Sequence, residues 1–279
     1  MKLLLATHSF ARGVIVLTLL VGTSAPSVTS AQIPTILPLN DTGIDQCYDS
    51  TAQVPCDPVA KDTGTHPRQD GRYGRDKTPG LPKIGSGPKG FDYTKVCNSG
   101  ELAGGGACPA SPLLGTGTND WGCTKDNVTS LIWEVKTTAP LDLRSTSHTY
   151  TWYSTNAATN GGNTGSAGAN TCNGTLPGGF CNTQAFVTAV NTAGLCGAID
   201  WRLPNMFELA SLVDFGKAGV ASPAIDTANF PNTQTSPYWS SNSGIANPST
   251  ASHVFFSNGI DSIFGKANSY YVRVVRSGQ

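Results

Sequence analysis

Eight cysteines set the problem that this chain has to solve. They stand at Cys47, Cys56, Cys97, Cys108, Cys123, Cys172, Cys181 and Cys196, and all of them follow an export-type leader. Lys2 and Arg12 precede the apolar run Gly13–Gly22, "GVIVLTLLVG", and "SVTSA" supplies small residues up to Ala31. This is the layout of a secretory signal peptide over residues 1–31, with an apolar core too short to span a bilayer comfortably. Cleavage is expected near Ala31, and with no cysteine at that point a lipid-anchored form is not expected. No later segment reads as a membrane span. An even cysteine count in an exported chain reads as disulfides. On count alone, about a hundred pairings are open. Spacing favours three short loops, Cys47/Cys56, Cys97/Cys108 and Cys172/Cys181, which leaves Cys123 and Cys196 as a long-range pair. Zinc is the rival use of cysteine. There is no C-x-x-C here, and His66, His148 and His253 are scattered, so neither a metal nor a cofactor is expected.

Charge narrows the list of partners. The chain has 18 Lys+Arg and 18 Asp+Glu; the leader holds two of the basic residues and none of the acidic ones, so the exported part carries 16 against 18, a net −2. Charged residues make up 13% of the chain, against about a quarter in an average globular protein. Gly, Ser, Thr and Asn take their place. Such a surface has no global field to draw in nucleic acid, which is excluded as a partner. Residues 32–118 read as an irregular, disulfide-containing region rich in Gly, Pro and Asp. Lys61–Lys95 within it has eight Lys/Arg against four Asp. It reads as a solvated loop region, or as an arm that touches acidic glycans or a cell surface.

Regular structure is expected from Asn119 onward, making residues 119–279 one domain. "VTSLIWEVKT" sets Leu131, Trp133 and Val135 against Ile132, Glu134 and Lys136, a period-two pattern that argues a strand. "HTYTWYST", His148 to Thr155, reads as a second strand. A long Gly/Asn loop follows, its end stapled by Cys172 and Cys181. Asn182 or Thr183 should then cap a helix with Phe186, Val187 and Val190 on one face. Gly194 fits its left-handed stop, and Leu195 can pack back on Val190.

The run "DWRLPNMFELASLVDFG", Asp200 to Gly216, combines a brief extended segment with a helix. Trp201 and Leu203 point to one side, and Pro204 forces its predecessor out of helical geometry. Asn205 and Glu208 have capping-box spacing. Met206, Leu209, Leu212 and Val213 form an apolar stripe, and Gly216 is expected to end the helix. Arg202, Glu208 and Asp214 could serve catalysis, but no His or Cys is placed by sequence to complete a mechanism. The tail is β-rich: "PYWSSN", "SHVFFSNG" and "YYVRVVR" read as strands, with a turn of the Asn-Gly type at Ser257–Gly259.

"DNVTSLIWEVKT", "HTYTWYSTN", "CNTQAFVTAVNTAGLCGAIDWRLPNMFELASLVD", "PAIDTANFPNTQTSPYWSSN" and "YYVRVVR", in this order, resemble the Lcl C-terminal domain family, a bacterial domain of unknown function. The likeness covers about Asp126 to Arg276, with "TGIDQCYDSTAQVPC" similar to a cysteine loop often found ahead of such domains. The resemblance implies an α+β, C-type-lectin-like fold with two helices and a small twisted antiparallel sheet, stapled by disulfides. That fold is related to sulfatase-modifying-factor-like domains and to variable receptor-binding proteins of phages and bacteria. The family takes its name from a collagen-like adhesin whose terminal domain binds sulfated glycans. This chain lacks that adhesin's Gly-X-Y repeats, and it lacks the Glu-Pro-Asn and Gln-Pro-Asp calcium motifs of sugar-binding animal lectins.

In such a fold, binding falls on loops and exposed strand faces. The candidate ligand-binding residues are therefore Asn242, Ser243, His253, Phe255, Asn258, Asp261, Asn268 and Tyr270, with Arg273 beside them. Amides and hydroxyls can hydrogen-bond sugar or peptide, and Tyr offers a flat amphipathic face. A structural reading stands beside each choice. Trp239 reads as core, one of Phe255 and Phe256 as buried, and His253 as an ordinary surface residue. Arg273 and Arg276 read as ion pairs or as flanks of a site. No nucleophile–base spacing, phosphate loop or cofactor fingerprint is present, so no catalytic residues are assigned and an enzyme is not expected. The expected role is a bacterial protein that is periplasmic, on the cell surface or secreted, with a glycan or surface protein as partner. The alternatives are a structural envelope or pilus-associated component, or an enzyme on the sulfatase-modifying-factor-like fold. The oligomeric state is left open.

Overall fold

The structure, a computed structural model, describes residues 40–49, 51–56 and 69–278. The expected leader and the 61–68 end of the basic stretch lie outside the described residues. In chain order the elements are β1 (Cys47–Tyr48), β2 (Gln53–Val54), α1 (Asp70–Tyr73), β3 (Tyr93–Cys97), β4 (Trp121–Asp126), β5 (Leu131–Glu134) and β6 (Tyr150–Thr151). Then come α2 (Thr183–Ala193), α3 (Met206–Ala210), β7 (Pro237–Ser243), β8 (Thr250–Phe255), β9 (Asp261–Gly265), β10 (Ser269–Tyr270) and β11 (Val275–Ser277). The strands form a four-stranded sheet in the order β11-β5-β4-β3, a three-stranded sheet β7-β8-β9, and the pairs β1-β2 and β10-β6. Every pairing between these strands is antiparallel. The fold is thus mixed and sheet-rich, with few helices. No helix among the described residues is long and apolar enough to cross a membrane.

Both larger sheets lie between two apolar cores. One core gathers Ile132, Trp152, Phe186, Val190, Trp239 and Val274, with α2 packed on it. The other gathers Leu131, Trp133, Leu209, Tyr238, Val254 and Phe256, with α3 packed on it. Alternate residues of one strand therefore enter different cores. This explains why β5 is buried along its whole length although its sequence alternates. Glu134 and Lys136, which alternate with the apolar side, are not solvated. They pair at 2.7 Å with side chains 0% and 2% exposed, and the Lys136 ammonium lies 4.6 Å from the Phe186 ring centre. Burial pushes the Lys136 ammonium below its usual value while Glu134 pulls it back up.

The helix ends follow local rules. Asn182 caps α2 by accepting the Ala185 amide, and Gly194 takes the left-handed conformation (φ 64°, ψ 40°) that only glycine adopts without strain. Leu195 is buried in the same core as Val190. Asn205 and Glu208 form a complete capping box on α3. That helix stops at Ala210, however, not at Gly216. Leu212 and Val213 bond back three residues, to Leu209 and Ala210. The amides of Asp214 and Phe215 go to the carbonyls of Ala224 and Thr42. Distant backbone takes the donors that a longer helix would need.

Three strands also differ from expectation. Within "HTYTWYST" only Tyr150 and Thr151 pair in a strand. "YYVRVVR" divides between β10, which pairs with β6, and β11, which pairs with β5. β3 precedes Asn119 and pairs along β4. The described cations of the basic stretch are largely engaged: Arg75 donates to the Gly90 carbonyl, Lys77 meets Asp76, Lys89 lies near Asp45 and Asp214, and Lys95 sits over Trp121. All eight cysteines are paired, Cys47–Cys56, Cys97–Cys108, Cys123–Cys196 and Cys172–Cys181, as the spacing favours. Four disulfides point to an oxidising, exported environment.

Candidate functional site

The register of the three-stranded sheet decides which candidate residues meet. Trp239 lies opposite His253, and His253 opposite Ser262. Phe255 and Phe264 are two positions further along their strands and share that face. His253 stacks on Phe264 with ring centres 4.4 Å apart and planes 8° from parallel. Phe255 meets the imidazole edge-on at 5.0 Å, and Tyr270 lies 5.8 Å from it and 5.5 Å from Phe264. Phe255, Phe264 and Tyr270 are half-buried, so the outer surface of this cluster is a short aromatic strip. Behind it Trp239 is buried, its indole N–H donating to the Tyr150 carbonyl at 2.8 Å. Phe256, the neighbour of Phe255, is buried on the opposite face.

His253 is not a surface residue. It is 0% exposed, and neither ring nitrogen has a hydrogen-bond partner. Burial lowers its pKa to about 4, opposed first by the Ala251 backbone and then by the Asp261 carboxylate. It is neutral at ordinary pH and supports the aromatic strip from behind.

The other candidates separate by position. Asn242 and Ser243 lie where β7 ends, as does Asn268 after β9; Asn258 and Asp261 lie at the opposite end of the same sheet. β9 has five residues, which at about 3.3 Å per residue separates the two ends by roughly 15 Å. One small ligand cannot reach both. Asn258, Asp261 and Asn268 are exposed. Asn242 accepts the Met206 amide at 2.8 Å and so helps anchor α3. Ser243 donates to the Asn160 carbonyl at 3.0 Å, tying β7 to the Gly/Asn loop. These two residues border a hollow of about 470 Å³ shared with Thr159 and Gly161.

Arg273 is excluded from the surface. It is 0% exposed, lies 5.1 Å from the Phe230 ring centre, and donates to Thr233. Burial lowers its pKa. Among the described residues it has no carboxylate ion pair, whereas Arg276 pairs with Asp200 at 2.6 Å. The Arg202–Glu208 pair is structural: the guanidinium meets both carboxylate oxygens at 2.7 Å, and the same carboxylate caps α3. Asp214 is buried beside Lys89 and Lys217.

Two contributors escaped the sequence reading. Phe264 supplies the ring that stacks on His253; its signal is the hairpin parity set by the Asn258-Gly259 turn. Lys266 is 2% exposed and donates to the carbonyls of Asn160 and Asn163 at 2.8 and 2.7 Å, which fastens the Gly/Asn loop to the end of β9. Among the described residues no group of three or more His, Cys, Asp or Glu side chains is arranged to hold a metal ion. His148 bonds the Pro140 carbonyl at 2.8 Å.

A family model described as the Lcl C-terminal domain matches residues 122–276. No curated protein and no solved structure matches.

Proposed function

The chain belongs to the Lcl C-terminal domain family, and from that premise we propose that it is an exported binding or adhesion module whose C-terminal hairpins recognise a glycan or a protein. The observation that carries this reading is the half-buried strip of Phe255, Phe264 and Tyr270, backed by the buried pair His253 and Trp239 and flanked by exposed amides at both ends of the sheet. Rigid rings lose little entropy on binding, and their faces suit the apolar face of a sugar or a peptide side chain. The neighbouring amides can fix orientation. The same reading takes the antiparallel sheets with α2 and α3 as a C-type-lectin-like arrangement.

The test uses the chain from Gln32 onward on immobilised glycans and on bacterial or host surface proteins. Phe264→Leu keeps apolar volume but removes the flat ring. It should weaken capture about tenfold, the loss of one aromatic contact, with the melting curve nearly unchanged. A blank on both surfaces would sink the binding role. Capture that survives Phe255→Leu and Phe264→Leu together would move the site elsewhere.

A further inference from the structure

A second concavity lies away from the aromatic strip, along the outer face of α2. Three hollows share walls. The first is about 690 Å³ and mostly apolar: Ala185, Thr188 and Ala189 of α2 face Leu143, Pro177 and Phe180. The second is about 450 Å³, is also mostly apolar, and adds Trp152, Val187 and Leu203 beside Ser154, Asn156 and Ser241. Tyr153, Gln184 and Thr188 line both and form the waist between them. The third hollow, bordered by Asn242 and Ser243, joins the second through Thr159 and Ser241. The first two hollows are therefore mostly apolar, and the third, with Thr159, Ser241, Asn242 and Ser243, is richer in hydroxyls and amides.

Its electrostatics are equally specific. The first hollow has no ionisable side chain apart from the Tyr153 phenol. The one charged residue of the second hollow, Arg202, is already neutralised by Glu208 through two hydrogen bonds of 2.7 Å. At the waist, Gln184 uses its carbonyl oxygen on the Thr155 amide, while its NH₂ has no partner among the described residues. Neither do the hydroxyls of Tyr153 and Thr188. The segment carrying Pro177 and Phe180 is bracketed by the Cys172–Cys181 disulfide. Phe180 in this segment is 55% exposed.

We propose that this trench binds an uncharged amphiphile, with a hydrocarbon chain or ring in the two apolar hollows and a hydroxyl-bearing head in the third. Volume and lining match small-molecule sites, which run from about 300 to 1,000 Å³ with few polar groups. A charged head would meet no free counter-charge, and its desolvation would go uncompensated.

The probe is octyl glucoside below its micelle concentration, titrated into the chain from Gln32 onward by calorimetry and by shifts of amide resonances. Saturable binding is expected, with resonances of α2 and residues 153–159 moving. Methyl glucoside should bind at least tenfold more weakly, because each buried methylene contributes about 0.8 kcal/mol. Octyl sulfate and octyltrimethylammonium should also bind at least tenfold more weakly. Thr188→Trp fills the waist from an exposed helix position and should abolish binding while leaving the melting temperature in place. Equal binding of all three octyl compounds, binding that survives Thr188→Trp, or no saturable octyl glucoside binding would each overturn the proposal. Phe255 and Phe264 lie outside the trench, so Phe264→Leu leaves this binding intact and Thr188→Trp leaves capture by the hairpins intact. The two readings therefore fail separately.

Discussion

His253 sits where a titratable group has little to gain. Its ring is enclosed by Phe255, Phe264, Trp239 and Tyr270, with no hydrogen bond to either nitrogen. The folded pKa is about 4, below the ordinary 6.5. Between those values the unfolded chain takes up a proton that the folded chain refuses. The stabilising effect is thus complete above pH 6.5 and is lost as pH falls toward 4. We expect denaturant midpoints to drop over that window by the equivalent of about 2–3 kcal/mol, and His253→Phe to flatten that drop. An unaltered pH profile in the variant would show that another group is responsible. Lys136 makes the converse case, a buried charge that is paired. Lys136→Met alone strands Glu134 and should cost about 3–5 kcal/mol, whereas Glu134→Met with Lys136→Met should cost much less. Equilibrium unfolding of the two variants reads this directly. Strand parity in the sequence put Glu134 and Lys136 on a definite face, and His253 read as a surface residue. The sequence could not say that these residues are covered, because the covering residues come from α2 and from β9, far along the chain.

Helix ends were the most legible features, and the reason is their range. Asn182, Gly194, Asn205 and Glu208 act on backbone groups within four residues, so spacing suffices to read them. Asn205→Ala removes the acceptor for the Glu208 amide and should lower stability by about 1 kcal/mol. Glu208→Gln keeps the cap geometry but weakens the bond to Arg202, so thermal melts should place it between wild type and Asn205→Ala. The stop of α3 at Ala210 was not legible, since Thr42 and Ala224 claim the amides that follow. The division of "YYVRVVR" has the same origin: one end finds β6 and the other finds β5. Of the candidate site, Tyr270 and the pair Phe255 and Phe256, one of them buried, were readable from the β-rich tail. Phe264 and Lys266 were not, because their role depends on the register of β8 and β9 and on the path of the Gly/Asn loop.

A chain with 13% charged residues, and with only short elements among the described residues before β3, needs crosslinks as well as two cores. The Cys123–Cys196 bond spans 73 residues and joins β4 to the segment after α2; Cys172–Cys181 spans nine. On loop-closure entropy, removing the first pair as Cys123→Ser with Cys196→Ser should cost about 4 kcal/mol, and removing the second about 2.5 kcal/mol. A reversed order in calorimetry would show that native packing, not chain entropy, sets their weight. The cysteine count and short spacings, the strand periodicity, the caps of α2 and α3 and the family all lie in the one-dimensional pattern, because each depends on neighbours close in sequence or on a shared motif order. Which strand faces became interior, that Arg273 is sealed among rings while Arg276 reaches Asp200, and that three hollows join into one trench were settled only when distant segments packed. Burial is a property of what lands on a residue, and no local pattern records the arrival of a segment from elsewhere in the chain.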